Sequence, residues 1–399
     1  MRILVTDGDQ RAALAVVRSL GRHGHEVIVA SASGRSLSGS SRFAREEVRL
    51  PDLFRQSPAF LDALVQVIRE RSVDVLIPIT EASLRLVLPV RDQLGDLLVP
   101  FPDDATFRAA SDKRGILATA RRLGIAVPEQ TVFTARDEAL AAVAAMSFPV
   151  VLKPAASVVA AGHGQEKLAV RHAPDATACR AALETLPEGA FPLLVQKRIE
   201  GAGCGIFLLH WDGRTIARFA HRRIREKPPS GGVSVYRESI SVPSEWMTRA
   251  EQLLDTLDWS GVAMVEFKVD RETRTPYLME VNGRFWGSLQ LAVDAGVDFP
   301  ALLLDAATGR MPGSPPRPKV GVRLRWELGD IDHLLARLRR SDSELALPSD
   351  APGRWRTILC VLLPWRPGER WEVLRPSDPR PFLTELIEWL RQAFGRDRK

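Results

Sequence analysis

The stretch Tyr277-Leu278-Met279-Glu280-Val281-Asn282-Gly283-Arg284-Phe285-Trp286-Gly287-Ser288 decides how the rest of the chain is read. It follows Val262-Ala263-Met264-Val265-Glu266-Phe267-Lys268-Val269, and the polar residues 270–275 between the two apolar runs have the composition of a turn. Alternation along a strand places Met264, Glu266 and Lys268 on one face of the first run, and Leu278, Glu280 and Asn282 on one face of the second. A hairpin centred near Thr273 sets Glu266 opposite Glu280, with β-carbons about 5 Å apart. Facing carboxylates repel unless a cation lies between them. Their hard oxygens, with an amide oxygen from Asn282 one step along, suit Mg²⁺, which ordinarily completes its shell with nucleotide phosphate oxygens. The competing reading is a solvated sheet face carrying two unrelated glutamates, and the hairpin alone does not choose between them.

Composition narrows the field. With 399 residues and 45% hydrophobic content, the chain is long enough for two to three domains with cores. Arg2-Ile3-Leu4-Val5 reads as a strand rather than a signal peptide. The aliphatic run at residues 358–363 is too short to span a bilayer. Cys179, Cys204 and Cys360 are scattered without metal or disulfide spacing, which points to a cytoplasmic protein whose cysteines are core residues. The net charge is +6, and residues 313–399 carry 17 Lys and Arg against 12 Asp and Glu, a surplus of five. The first 312 residues are close to neutral, which argues against nucleic acid as a partner.

The N-terminal region alternates strands (residues 2–6, 26–31, 73–79 and 97–101) with helical patterns (11–23 and 82–94), the signature of an open, doubly wound α/β sheet. Its first turn, Thr6-Asp7-Gly8-Asp9-Gln10, lacks G-x-G-x-x-G, so a scaffold is favoured over a dinucleotide site. After Pro100-Phe101-Pro102, Ser111 or Asp112 is positioned to cap a helix running to residue 123. Lys113 in its first turn opposes the helix dipole, which hints at a phosphate partner. Residues 148–154 form an apolar strand ending in Lys153-Pro154, followed by small residues with Gly162 and Gly164. A lysine below a mobile hairpin is a good phosphate clamp, and an ordinary hairpin with an exposed lysine is the plainer alternative. Residues 205–211 and 214–220 pair across Asp212-Gly213. The basic stretch 221–234 that follows, rich in Pro and Gly, suits a loop whose cations form either solvated charge or an anion-binding wall.

In this order the parts resemble the ATP-grasp superfamily, in particular its carbamoyl-phosphate-synthase-like and carboxylate–amine ligase-like members. The resemblance covers roughly residues 1–310 and rests on an α/β pre-domain, Ser111-Asp112-Lys113, Val151-Leu152-Lys153-Pro154, Val195-Gln196-Lys197 before Gly201, Val265-Glu266-Phe267, and Met279-Glu280-Val281-Asn282-Gly283-Arg284. It implies an α/β and α+β protein: a pre-ATP-grasp α/β domain (1–105), a small ATP-grasp lobe (106–188), a core lobe with the Mg²⁺ and ATP site (189–312), and an Arg- and Trp-rich C-terminal extension (313–399). It further implies that Lys113 and Lys153 touch phosphate or adenine under the Gly162–Gly164 hairpin. Gln196, Lys197, Ile199, Glu200 and Met279 complete the ATP site, and Glu266, Glu280 and Asn282 hold Mg²⁺, with Mn²⁺ as an alternative ion. Arg284, Lys153 and Arg223 would be the catalytic cations, with Ser288 beside them and Arg225 joining Arg223 on a donor carboxylate. Two departures stand out. Gly201-Ala202-Gly203-Cys204 replaces the acidic residue commonly placed on the ribose, leaving Glu200 as substitute. Asn-Gly-Arg-Phe-Trp replaces the commoner Asn-Pro-Arg, with Trp286 as a candidate wall of an acceptor pocket.

The activity this implies is an ADP-forming ligase that joins a small-molecule carboxylate to an amine through an acyl phosphate. The alternatives are a phosphotransferase, a nucleotide-binding protein without turnover, and, on the poor motif at Gly8, a nicotinamide dehydrogenase. Beyond Gly309 the pattern fades into a proline-rich linker (residues 311–318) and a tail with Trp326, Trp355, Trp365, Trp371 and Trp389. Residues 331–340 and 382–394 have helical apolar spacing with arginines alongside. The tail is expected to pack on the body, with peripheral membrane or protein contact as the alternative.

Overall fold

A computed structural model describes residues 1–311, 313–342, 344, 345, 347, 351–363 and 368–395; Pro312 of the expected linker and Trp365 lie outside the described residues. The N-terminal sheet is parallel. β1 (Arg2–Val5), β2 (Glu26–Ser31), β3 (Ala44–Arg49) and β4 (Val75–Ile77) stand in the order β3-β2-β1-β4. Ile3, Leu4, Val5, Val27, Val29 and Leu76 are fully or almost fully buried because helices cover both faces of such a sheet. The helix Arg11–Arg22 supplies one cover through Ala13, Val16, Val17 and Leu20. The sequence gives no warning of β3: Ala-Arg-Glu-Glu-Val-Arg looks like solvated charge, and it is the partly exposed edge strand. The strand expected over residues 97–101 shrinks to a single bridge between Val75 and Leu98. The helix expected over residues 82–94 ends as an α-helix at Val87 and continues as a 3₁₀ turn, Leu88–Leu94, where Pro89 removes a backbone donor.

From residue 130 come β5 (Gln130–Phe133), β6 (Val150–Pro154), β7 (Val158–Ala161), β8 (Gly164–Lys167), β9 (Arg171–Ala173) and β10 (Leu193–Lys197). β5, β10, β6 and β9 make an antiparallel sheet in that order, with its own core of Leu152, Cys179, Leu183 and Leu193. β7 and β8 form a separate hairpin. β10 therefore belongs with the smaller sheet, and a division at residue 188/189 falls before that sheet's last strand.

The largest sheet has seven strands among the described residues: β11 (Gly201–Trp211), β12 (Arg214–Lys227), β13 (Val233–Ser239), β14 (Gly261–Asp270), β15 (Pro276–Asn282), β16 (Arg323–Arg325) and β17 (Glu369–Trp371). They run in the order β15-β14-β11-β12-β13-β16-β17. β11 and β12 turn at Asp212 and Gly213, both with positive φ, as the Asp-Gly signal requires. The loop expected from residue 221 begins only at Pro228: β12 continues through Lys227, paired with β13, and turns at residues 228–232.

β16 and β17 extend this sheet from the C-terminal region, so the described tail residues are continuous with the body. Buried arginines fasten them. Arg11 and Arg237 both pair with Glu372, the former at 2.5 Å. Arg18, 1% exposed, donates to Asp378 Oδ2 at 2.9 Å and to the carbonyls of Glu372, Val373 and Asp378. The Ser41 hydroxyl and the Arg42 N–H complete the shell of Asp378. Trp326 and Trp389 donate to Glu385 and Asp332, and the Arg11 guanidinium lies 3.8 Å over the Trp326 ring. No described helix is long and apolar enough to cross a membrane.

Burial alone would raise the Asp378 carboxyl, but its bonds to Arg18, Arg42 and Ser41 outweigh that and hold it below its usual 3.8. A depressed carboxyl contributes stability that is complete above the unfolded value and lost as pH falls through the folded one. Asp378→Asn strands the buried Arg18 charge and is expected to cost about 3–5 kcal/mol at pH 7. Thermal unfolding followed by circular dichroism should show a lowered midpoint for the variant, with the gap to wild type closing as pH falls below about 4. An unchanged midpoint at pH 7 contradicts this role for the pair.

Candidate active site

β14 and β15 pair with Glu266 opposite Glu280 and Met264 opposite Asn282. One step further the register shifts, so that Phe267 faces Leu278 and Met279 is left as a bulge. Leu278 is thereby turned into the core beside Phe267, a correction to the alternation that placed it on Glu280's face. The same bulge brings Met279 Sδ to 3.8 Å from Lys153 Nζ. The side chains of Glu266 and Glu280 keep 17% and 30% exposure, so the pair stays partly open to solvent and is not sealed in the core.

Different elements aim cations at this pair. Lys113 is the first residue of the helix Lys113–Arg122, whose start is fixed by the Asp112 side chain accepting from the Arg114 N–H. The nearly buried Lys113 ammonium donates to Ser157 Oγ at 2.7 Å and stands 3.8 Å from Glu280 Oε2. Lys153, near the end of β6, has the Met279 thioether as its one hydrogen-bonding partner among the described residues. Burial lowers its pKa, and the negative charges of Glu280 and Glu266 oppose that. Arg284 donates to Asn282 Oδ1 at 3.1 Å, and Asn282 Nδ2 donates to Glu280 Oε1 at 2.8 Å. Arg223 on β12 pairs with Glu266 at 2.7 Å and with Glu226 at 3.0 Å. Burial and the facing Glu280 push the Glu266 carboxyl up despite Arg223. Burial also works against Glu280, but Lys113, Asn282, Lys153 and Arg284 outweigh it and hold that carboxyl down.

The remaining expectations divide. Gln196 is buried, with its amide donating to Gln130 Oε1 at 2.6 Å, and the Lys197 N–H donates to the Glu129 carbonyl. Both, with the buried Ile199 and the exposed Glu200, lie on or just after β10, the neighbour of β6 that pairs Leu194 with Lys153. Gly162 carries the positive φ of the β7–β8 turn. That hairpin, expected to be mobile, is docked: Ser57 N–H donates to the His163 carbonyl, Gln165 N–H to Phe54 O, and the Gln165 amide to Ala82 O. A side chain at Gly164 would meet Phe54 O at 1.9 Å, so this contact requires glycine.

Three expectations are corrected. Arg225 is engaged bidentately by the buried Asp330 at 2.6 and 2.5 Å and stacks over Tyr236, so it is not available to a donor carboxylate. Trp286 is 2% exposed and packs on Phe207 and Phe299; it belongs to the core, not to a pocket wall. Ser288 is likewise buried, its hydroxyl 3.1 Å from His221 Nε2. Gly283 explains the departure from Asn-Pro-Arg: the Trp259 ring lies where a β-carbon would be, 2.1 Å away.

Sequence reasoning passed over Ser157, His172, Glu226 and Lys268. Lys268 was visible in the alternation that puts it on Glu266's face. The His172 imidazole is driven down to about 4 by burial and by Arg198, Lys268 and Lys153, so it is neutral at pH 7 within a cationic wall. Among the described residues no three His, Cys, Asp or Glu side chains gather to hold a metal. The cluster offers two carboxylates and an amide oxygen, so a hard divalent ion here fits only if ligand oxygens complete its shell.

Comparison with known proteins agrees with this layout. Residues 190–329 match the family described as ATP-grasp in the biosynthetic pathway with Ter operon. The chain is similar in structure to the L-amino acid ligase of Bacillus licheniformis (19% identity, TM-score 0.62, covering 79% of this chain and 77% of that one). It is also similar to the biotin carboxylase domain of the Hydrogenobacter thermophilus 2-oxoglutarate carboxylase, solved with MgADP, ADP and bicarbonate (14%, 0.63, 80% and 73%). A third likeness is to the N5-carboxyaminoimidazole synthetase of Staphylococcus aureus (15%, 0.59, 79% and 79%). No match is found among curated proteins. The parallel N-terminal sheet, the smaller antiparallel sheet with its hairpin and the large sheet bearing the paired glutamates make up the ATP-grasp fold. The chain has the ATP-grasp fold, and its residues 190–329 match an ATP-grasp family model.

Lys153 is half-buried, lies in the field of two carboxylates and bonds only a thioether among the described residues, which makes it the residue to test for a phosphate contact. Lys153→Ala is expected to weaken ADP binding about 30-fold, the equivalent of roughly 2 kcal/mol for a charge-assisted phosphate bond. Isothermal calorimetry of both proteins measures this; equal affinities reject a phosphate contact by Lys153.

Proposed function

We propose that this protein is an ATP-dependent ligase that joins a small-molecule carboxylate to an amine, consuming ATP and releasing ADP and phosphate. The observation that carries the reading is the facing pair Glu266 and Glu280, with Lys113, Lys153, Arg223 and Arg284 clustered around it. The superfamily's solved relatives include an amino acid ligase and a synthetase, and one was solved with MgADP.

In this reading Lys113 and Lys153 bind the nucleotide phosphates, and Met279 and the β10 segment face the base. Glu266, Glu280 and Asn282 would hold Mg²⁺ or Mn²⁺, which would neutralise phosphate charge. The substrate carboxylate oxygen attacks the γ-phosphorus, ADP leaves, and the acyl phosphate then accepts the amine as phosphate departs and the amine loses a proton. Arg284 stabilises negative charge on the transferred group. Arg223 covers Glu266 when no divalent ion does and lies beside the reacting centre. The β7–β8 hairpin, seated on residues 54–57, excludes water that would hydrolyse the acyl phosphate.

No side-chain nucleophile is required, and the candidates are inert. Burial pushes the Cys204 thiol up to about 12. Ser288 meets His221 deep in the core, where burial holds the imidazole far below its ordinary value.

The test supplies ATP, Mg²⁺ and pairs drawn from a panel of carboxylic acids and amines, and follows ADP, inorganic phosphate and condensed product together. The ligase reading expects the three in equal amounts with the productive pair. ADP with a stable phosphorylated acid and no condensation would make the protein a phosphotransferase. AMP with pyrophosphate would reject the mechanism, since adenylation attacks a different phosphorus.

A further inference from the structure

We propose that the helix Arg354–Leu362 is a docking face for an anionic membrane surface. The helix is attached to the body by one side only. Thr357 and Val361 are buried, and Arg325 donates to the carbonyls of Val361 and Cys360 at its C-terminal end. At its start, the Pro352 carbonyl accepts from Arg337 and the Arg340 carbonyl from Arg354. The opposite side is apolar and open: Trp355 is 80% exposed, Leu359 64%, Leu362 66% and Leu363 47%.

The spacing of these residues makes a stripe. At 3.6 residues per turn, positions 355, 359, 362 and 363 share one face, and Arg354 and Arg356 fall on its two flanks. Residues 351–363 contain no acidic side chain. The neighbouring helix Glu327–Arg339 ends in exposed Leu338 and Arg339 and is followed by Arg340. Every other tryptophan of the described tail except Trp371 is tied to a carboxylate, so the exposure of Trp355 is not general to the region.

Charge selects the occupant. A cationic rim around an indole and three leucines complements a surface that is negative outside and apolar within, which is the profile of an anionic bilayer interface. Nine residues are far too few to span a bilayer, so the helix lies in the plane with its leucines among the acyl chains. The ligand cleft is formed by other elements, so docking leaves the nucleotide site free to work.

The experiment is co-sedimentation of the full chain with vesicles of phosphatidylcholine mixed with phosphatidylserine, and with phosphatidylcholine alone, at low and high salt. Binding is expected to the mixed vesicles at low salt, with release at high salt and none to phosphatidylcholine alone. Leu359→Ser with Leu362→Ser should abolish binding, and Arg354→Gln with Arg356→Gln should weaken it about fivefold per arginine. The leucine variant should melt with the wild type, because its altered side chains are exposed, and the arginine variant, which loses the exposed bond from Arg354 to the Arg340 carbonyl, should melt close to it. Failure to bind mixed vesicles at low salt overturns the proposal, as does binding that both variants retain. A concentration-dependent dimer lost in the leucine variant, without vesicle binding, would assign the face to a second copy and equally overturn it.

Discussion

Two carboxylates held face to face cannot both be charged in a cleft without cations beside them, and this constraint organises the molecule. Glu266 and Glu280 sit opposite one another because β14 and β15 are joined by a short turn. Each surrounding element contributes a positive group to that point. Lys113 comes from a helix start, Lys153 from the smaller sheet, Arg223 from β12 and Arg284 from the segment after β15. The compensation is uneven, which is why one carboxyl is driven up and the other down. The result is an unevenly neutralised pair of hard oxygens beside a half-buried lysine.

That convergence depends on the parts staying in register, and two sets of contacts keep them there. The hairpin tip rests on residues 54–57 through backbone hydrogen bonds that only a glycine at position 164 permits. Behind the sheet, Arg11, Arg18 and Arg237 reach carboxylates and carbonyls of the C-terminal region. Breaking such buried pairs leaves a stranded charge, so they tolerate little displacement. The C-terminal region thus clamps the first helix to the large sheet, and its amphipathic helix is carried on a rigid support.

The legible part of the sequence was the local part. Period-two alternation and a polar turn were enough to place Glu266 against Glu280, and Asp212-Gly213 was enough to place the β11–β12 turn. Alternation could not reveal the bulge at Met279, because a one-residue register shift leaves no compositional trace, and Leu278 was put on the wrong face as a result. Nor could it reveal what lies opposite a residue far along the chain. Arg225 looked like a free cation until Asp330, 105 positions later, was found against it. The edge strand β3 was hidden because its charges serve to discourage further pairing. Trp286 and Gly283 were noticed as departures, and their cause was packing: one ring fills the core and another fills the space of a β-carbon.

The central claim is that Glu266 and Glu280 act as a pair toward a divalent ion that arrives with the nucleotide. Its most direct test is calorimetric titration of ADP with and without Mg²⁺, in wild type and in Glu280→Gln, with melting temperatures recorded alongside. The account predicts that Mg²⁺ tightens ADP binding in wild type, that this enhancement disappears in the variant, and that the variant still folds. Equal ADP affinity with and without Mg²⁺ in the wild-type protein would contradict it.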